Sequence, residues 1–266
     1  MTDRLDVIEE AFPQRTRPLL VTGLVAGDPF VDATGDFMHA VVDGGADVIE
    51  LLVPFSDPIY HGSVMRRANE RAMSERVDWR DVERLVDEFR EDDDQTPIIV
   101  SSYFNRVLAR GEQACVEGLA DAGVDALNVV DLPTEEGGAL REVLAGVNLA
   151  LIQTGAPTTS PRRFRQLQTS ARGLLFWTGH SGAQEAVDFE VFEQRVTTFR
   201  RHTSLPIVAS MNVESGDEAI DVVGNAHGVV VGSSLAWLIE GRGPDVDERL
   251  RAFVADLRDH IDTVEI

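Results

Sequence analysis

The chain has 266 residues, 43% of them hydrophobic, which suits one large domain with a substantial core. Its formal net charge is −22 and all 24 basic residues are arginine, so we expect neither nucleic acid nor a membrane as partner and predict a halophilic, cytoplasmic protein. No apolar run approaches the roughly 18 residues of a membrane span, the polar stretch 1–17 does not resemble a targeting peptide, and the lone Cys115 forms no intrachain disulfide.

Eight apolar runs with the composition of buried strands follow one another along the chain. They are Leu19–Val25, Asp47–Val53, Pro97–Ser102, Ala126–Val130, Leu149–Thr154, Gly173–Trp177, Pro206–Ser210 and Gly228–Val231. Amphipathic segments predict helices at Asp32–Asp43, Trp79–Arg90, Gly111–Ala122, Thr134–Leu144, Pro161–Ser170, Phe189–Arg201, Glu214–Val223 and Asp245–Asp259. Thr134, Ser160 and Ser215 are helix start signals.

Strand alternating with helix over about 250 residues predicts an α/β protein, a (β/α)8 TIM barrel, with residues 1–266 as a single domain. The rival fold is an open doubly wound sheet, which carries a glycine-rich turn after its first strand. That turn reads Ala26-Gly27-Asp28-Pro29 here and lacks the G-x-G-x-x-G pattern. We therefore expect a barrel with its active site at the carboxyl ends of the strands.

An acid interrupts the second apolar run, since Glu50 lies within Val48-Ile49-Glu50-Leu51-Leu52-Val53. Burial there raises the pKa of a carboxyl group towards neutrality, which suits a general acid–base catalyst. The alternative is an acid held by a neighbouring strand with no chemical role.

The segment after this strand, Pro54–Gly62, contains two prolines and predicts a rigid loop. It brings His61 near Glu50, and a histidine that titrates near neutral pH can serve as acid or base. The alternative is a structural or surface histidine. No cluster of side chains has the spacing of a metal site.

Several motifs run in the order of one known family. They include Gly44-Gly45-Ala46-Asp47-Val48-Ile49-Glu50, Val53-Pro54-Phe55-Ser56-Asp57-Pro58, Asp131-Leu132-Pro133 and Gly228-Val229-Val230-Val231-Gly232-Ser233. With these motifs the chain resembles the alpha subunit of tryptophan synthase over nearly its whole length. The resemblance implies a (β/α)8 barrel that cleaves indole-3-glycerol phosphate to indole and glyceraldehyde 3-phosphate, without a cofactor and beside a beta-type subunit.

The resemblance also implies roles for individual residues. Glu50 matches the family's catalytic glutamate, and His61 stands where the family has a second catalytic acid, an aspartate. Substrate-binding positions are implied at Tyr103, Phe176, Gly182, Asn212, Gly232 and Ser233. Asp131 matches a residue that we expect to hold loops in place.

The chain departs from the family around this site. Leu52 replaces a glycine and is expected to crowd the pocket, and Phe176 replaces a tyrosine. The loop after the sixth strand is shorter and has lost an arginine. The stretch Ser210-Met211-Asn212-Val213-Glu214 stands where the family has a Gly-Phe-Gly turn, and Glu214 is expected to repel a phosphate group.

These departures leave three hypotheses open. The first is the family's lyase activity in tryptophan synthesis. The second is a divergent paralogue that uses the same barrel and Glu50 on a different ligand. The third is a non-catalytic partner of a beta-like subunit, in which Glu50 has lost its role.

Overall fold

The computed structural model describes residues 16–147, 149–179 and 189–265. Eight parallel strands close into a barrel, each paired with the next and β1 paired with β8. They are β1 Leu19–Val25, β2 Val48–Leu52, β3 Ile98–Ser102, β4 Ala126–Val129, β5 Ala150–Gly155, β6 Leu175–Thr178, β7 Ile207–Ser210 and β8 Gly228–Val231. The predicted (β/α)8 barrel is confirmed, and every predicted strand end lies within two residues of the observed one.

Eleven helices surround the barrel in the described part of the chain. They are α1 Val31–Asp43, α2 Ser63–Ser74, α3 Trp79–Asp92, α4 Phe104–Arg110, α5 Glu112–Asp121, α6 Gly138–Ala145, α7 Pro161–Ser170, α8 Phe189–Arg200, α9 Gly216–Val223, α10 Ser233–Glu240 and α11 Val246–Ile261. Helices α2, α4 and α10 were not predicted; α4 and α10 begin directly after β3 and β8, and α2 follows the loop after β2. Within the described residues no helix has the length and hydrophobicity to cross a membrane.

Two of the three helix start signals act as predicted. The Ser160 hydroxyl accepts a hydrogen bond from the backbone of Arg163, and the Ser215 hydroxyl accepts one from Glu218. Thr134 is a wrong prediction, since α6 begins at Gly138. The Thr134 hydroxyl instead donates to the Gln153 side chain at 2.6 Å, so this buried threonine ties a loop to β5.

The hydrophobic core has two main parts that are separated by the sheet, and a third, small cluster contains Val25, Leu52, Met65, Ala68, Ala72 and Ala236. The larger part lies between strands and helices. The smaller part fills the barrel interior with Leu19, Val21, Val48, Ile99, Ala126, Ala150, Ile152, Leu174, Phe176, Val208 and Val230. Most of these come from the amino-terminal portions of their strands, so the interior is packed with apolar side chains below the level of Glu50.

Candidate active site

Glu50 projects into the barrel from β2, above the apolar packing. It pairs in register with Gly23 of β1 and with Ile99 of β3. A Cβ atom added at Gly23 would lie 3.5 Å from Glu50 Oε2 and 3.3 Å from the Cα atom of Gly232. The missing side chain at Gly23 therefore leaves space beside the carboxyl group.

A row of polar side chains on three consecutive strands extends from Glu50. Ser101 of β3 donates a hydrogen bond to Glu50 Oε1, and Asn128 of β4 donates to the Ser101 hydroxyl at 3.0 Å. Thr154 of β5 donates to Asn128 Oδ1 at 3.5 Å. We call Ser101, Asn128 and Thr154 the polar wall. Sequence reasoning missed it, because each member is a single polar residue in an apolar strand.

Burial raises the pKa of Glu50 above its ordinary value, as the sequence predicted. Hydrogen bonds from Ser101 and Asn128 act in the opposite direction and stabilise the carboxylate. Desolvation is the larger effect, because the carboxyl group lies deep in the barrel and meets solvent only through the cavity.

The loop after β2 is held against the barrel by backbone and aromatic contacts. The Phe55 N–H donates to Asn69 of α2 at 2.9 Å, and the Tyr60 N–H donates to the Tyr103 hydroxyl at 3.1 Å. The Phe55 and Tyr103 rings stack with centroids 4.7 Å apart. Tyr103 thus contacts the loop and is not among the described residues that line the cavity. Asp131 accepts a hydrogen bond from the Phe104 N–H at 2.7 Å, which confirms that it holds a loop.

His61 faces the same cavity as Glu50, but it does not titrate near neutral pH. Burial lowers the pKa of its imidazole to about 4. Its Nδ1 atom is buried and finds no hydrogen-bond partner within the described residues. The prediction of a histidine that changes charge near pH 7 is therefore wrong, because desolvation keeps the ring neutral there.

Tyr60 is a cavity residue that sequence reasoning missed, although it directly precedes His61. Its hydroxyl is hydrogen-bonded to the Thr178 side chain of β6. Burial, together with the nearby charge of Glu50, raises the pKa of Tyr60 to about 12. The phenol therefore keeps its proton at neutral pH. Only the folded loop reveals this contact, since residues 60 and 178 are far apart in sequence.

A cavity of about 530 Å³ opens at the carboxyl ends of the strands. It brings together six of the predicted site residues, Glu50, His61, Phe176, Asn212, Gly232 and Ser233. Leu52 also lines it and packs with Val25, Met65 and Ala236. Gly182 lies outside the described residues. Among the residues that are described, no group of three or more His, Cys, Asp or Glu is placed to hold a metal ion.

One end of the cavity combines a helix start with a carboxylate. Gly232 precedes α10, and Ser233 is the first residue of that helix. Ser234 donates to the Val213 carbonyl and so ties α10 to the loop after β7. In that loop the Asn212 amide donates to Glu214 Oε1 at 2.8 Å. Glu214, which is expected to repel a phosphate group, also lines the cavity.

A closed (β/α)8 barrel with a buried carboxyl group and an open cavity at the carboxyl ends of its strands is the architecture of an acid–base enzyme. The family model for the tryptophan synthase alpha chain matches residues 10–263. This chain therefore belongs to the tryptophan synthase alpha chain family, whose members are lyases of tryptophan biosynthesis. The resemblance drawn from the sequence motifs is confirmed.

Individual relatives agree with the family match. The tryptophan synthase alpha chain of Xanthomonas euvesicatoria pv. vesicatoria (strain 85-10) is 38% identical over 251 residues, which cover 92% of this chain and 94% of that protein. The crystal structure of tryptophan synthase subunit alpha from Legionella pneumophila str. Paris superposes with a TM-score of 0.90 at 30% identity and covers 99% of this chain and 100% of that chain. A chain of the tryptophan synthase complex from Pyrococcus furiosus superposes with a TM-score of 0.82 at 26% identity, with 91% and 98% of the two chains covered.

Proposed function

We propose that this chain cleaves indole-3-glycerol phosphate to indole and glyceraldehyde 3-phosphate, with Glu50 as the residue that moves the protons. The observation that carries the proposal is the position of Glu50, which lies at the cavity with its pKa raised by burial. Membership of a lyase family supports the reaction, and the surroundings of Glu50 support the assignment of the residue. We also propose that residues 1–266 form a single barrel domain.

The reaction is a retro-aldol cleavage in which a single carboxyl group can donate one proton and accept another. Protonation of indole C3 turns the ring into an indolenine-like cation. Removal of the proton from the adjacent hydroxyl forms the carbonyl, the C–C bond breaks, and its electron pair returns to the ring. Because Glu50 delivers one proton and takes back another, it ends in its starting state. A pKa raised above the ordinary range keeps a protonated fraction available as the pH approaches neutrality.

Ser101 and Asn128 are positioning residues in this proposal. Ser101 holds the carboxyl group through Oε1 and is itself held by Asn128, while Oε2 lies beside the open space at Gly23. A proton can then pass between Glu50 and the substrate without a change of the Glu50 side-chain rotamer. Fixing the acid in this way lowers the entropy cost of each proton transfer.

We propose that His61 accepts a hydrogen bond from the indole N–H. The neutral imidazole lines the cavity and adds no positive charge beside the cationic ring. It also adds no negative charge, which the family's aspartate would supply. The His61 contact therefore stabilises the positive charge of the ring less than the family's aspartate would.

The phosphate group is proposed to bind at the end of the cavity where α10 begins. Backbone N–H groups at Gly232 and Ser233 suit an anion, because a helix amino terminus carries partial positive charge. Asn212 borders the same end, and Gly182 is assigned there by the family resemblance alone. Glu214 opposes the anion, so we expect weak substrate binding. Phe176 supplies an apolar wall for the substrate.

A beta-type subunit is the proposed partner, since the related Pyrococcus furiosus structure is a tryptophan synthase complex. The loop after β2 exposes Ile59 with 63% of its surface accessible, an apolar side chain suited to a protein contact. The protein is further proposed to work in a salt-rich cytoplasm, because −22 charges and an absence of lysine favour solubility at high salt.

The test is the release of indole when the purified chain meets indole-3-glycerol phosphate, alone and with a beta-type subunit. Indole and glyceraldehyde 3-phosphate should appear in equal amounts in wild-type protein. Glu50→Gln should abolish the release, while Glu214→Gln, a matched change at another cavity carboxylate, should retain it. The absence of indole under both conditions would refute the proposal.

A further inference from the structure

The polar wall places hydrogen-bonding groups where an aromatic ring has to lie. Any ring that takes a proton from Glu50 is within a few ångströms of that carboxyl group. Asn128 and Thr154 both line the cavity there, and Asn128 is 3% exposed. The hydrogen bonds from Glu50 through Ser101 to Asn128 and Thr154 place all three within reach of one bicyclic ring.

The hydrogen-bonding capacity of the wall is incompletely used. The Asn128 amide nitrogen donates to the Ser101 hydroxyl at 3.0 Å, and Asn128 also stabilises the ionised form of Glu50. Its carbonyl oxygen has two lone pairs and receives only the 3.5 Å contact from Thr154 within the described residues. The Thr154 hydroxyl can itself accept a hydrogen bond. The wall therefore presents two acceptors to whatever occupies the cavity.

An unsubstituted hydrocarbon ring edge would cover these acceptors without satisfying them. Buried polar groups that lose water and gain no partner weaken binding. A hydroxyl on the same edge would donate to Asn128 or Thr154 instead. Tyr60 and Thr178 add two further hydroxyls to the lining, so the polar character of the cavity does not end at the wall.

We propose that this site selects a substrate whose aromatic ring carries a hydroxyl on the edge that faces Asn128 and Thr154, in preference to an unsubstituted ring. The inference deepens the proposed function and rests on it, because it assumes an indole-type ring beside Glu50. The substrate class is then the glycerol phosphates of ring-hydroxylated indoles. The same C–C bond breaks, and a hydroxyindole leaves in place of indole.

Binding of the free rings tests this preference without requiring turnover. Dissociation constants are measured by calorimetry for indole, for the hydroxyindoles with the hydroxyl on each carbon of the six-membered ring in turn, and for the matching fluoroindoles. Fluorine fills similar space but donates no hydrogen bond. One hydroxyindole should bind roughly tenfold more tightly than both indole and its fluoro counterpart, the gain expected from a buried hydrogen bond.

Substitutions in the polar wall test whether its side chains cause the preference for hydroxyindoles. Thr154→Val keeps the side-chain shape and removes the hydroxyl, and Asn128→Leu removes the amide. Each should reduce the ratio of hydroxyindole to indole affinity about fivefold, while plain indole binds as well or better. Thr198→Val, on the exposed face of α8, should leave the ratio unchanged. Should a wall variant fail to fold, the wild-type ranking still decides the question.

Equal affinities for indole, hydroxyindoles and fluoroindoles would overturn the inference. A wild-type preference that survives in both wall variants would overturn it as well. Indole release from indole-3-glycerol phosphate without any hydroxyl preference would sink this inference and leave the proposed function standing. A hydroxyl preference in a chain that cleaves neither kind of substrate would sink the proposed function instead.

Discussion

The two ends of the barrel differ in the partners of their buried charged side chains. At the amino-terminal end, Arg258 lies 2.9 Å from Asp47, and Arg90 lies 2.8 Å from Asp125, with all four side chains at most 9% exposed. At the carboxyl end, Glu50 is hydrogen-bonded to neutral groups, and no arginine is among the described residues that line its cavity. Paired charges hold helices to the barrel, while an acid without a cation keeps a raised pKa and remains reactive.

The largest effect is expected at the unpaired acid. Glu50→Gln should lower kcat/KM for indole-3-glycerol phosphate at least ~100-fold, the usual contribution of a general acid–base group. It should not destabilise the fold. Since the pKa of Glu50 is raised in the folded state, its ionisation reduces stability progressively as the pH rises above the unfolded value. The melting temperatures of Glu50→Gln and wild type should be compared at pH 5 and pH 8, about the range in which carboxyl groups with raised pKa values ionise. The melting temperature of the variant relative to that of wild type should be higher at pH 8 than at pH 5.

At the amino-terminal end of the barrel, the loss of a charged partner should reduce stability and leave activity nearly unchanged. Arg90→Met leaves Asp125 buried without its partner and should cost about 3–5 kcal/mol of unfolding free energy, with little change in kcat per folded molecule. Arg84→Met on the same helix removes an exposed ion pair with Glu88 and should cost less than about 1 kcal/mol. Urea unfolding of both variants measures the difference. Equal costs would contradict the assignment of the buried pair as structural.

The His61 position allows a carboxylate to be added at the reactive end. His61→Asp should raise kcat about tenfold, because a charge-assisted hydrogen bond to the indole N–H stabilises the cationic ring. His61→Asn, which keeps a neutral acceptor, should leave kcat near the wild-type value. Steady-state kinetics with indole-3-glycerol phosphate distinguish the two. A fall in kcat in His61→Asp would argue against contact between residue 61 and the ring nitrogen.

A smaller effect is expected at the hydrogen bond that holds Glu50. Ser101→Ala removes a donor that stabilises the carboxylate, so the pKa of Glu50 should rise further. We expect the pH–rate profile to shift to higher pH, with kcat reduced about fivefold through looser positioning of the acid. Ser101→Thr retains the hydroxyl and should restore the wild-type profile. A profile unmoved by Ser101→Ala would show that the contact does not influence the acid.

The smallest effect is expected at the far end of the cavity. Glu214→Gln removes a negative charge near the start of α10 and should lower KM for the phosphate-bearing substrate about two- to threefold, with kcat unchanged. The difference should diminish as salt concentration increases, because salt screens an exposed carboxylate. Kinetics at low and high salt measure it. A KM that does not change at low salt would place the phosphate group elsewhere.

The sequence by itself determined the order of the strands, the family and the central acid. Alternation of apolar runs with amphipathic segments is a local pattern, and it was enough to predict eight strands and a barrel. Glu50 was identifiable because its immediate neighbours in the chain are apolar. One helix start was predicted wrongly, because Thr134 has the side chain of a cap but donates to Gln153 across the fold.

Only the tertiary structure decided what surrounds that acid. Ser101, Asn128 and Thr154 become neighbours because β3, β4 and β5 are adjacent in a closed sheet, which no local pattern records. The neutrality of His61 likewise follows from its burial in the folded chain and not from its residue type. Hydrogen-bond partners and desolvation are properties of the packed molecule, so the chemistry of the site was set by the fold, while its centre could be read from the chain.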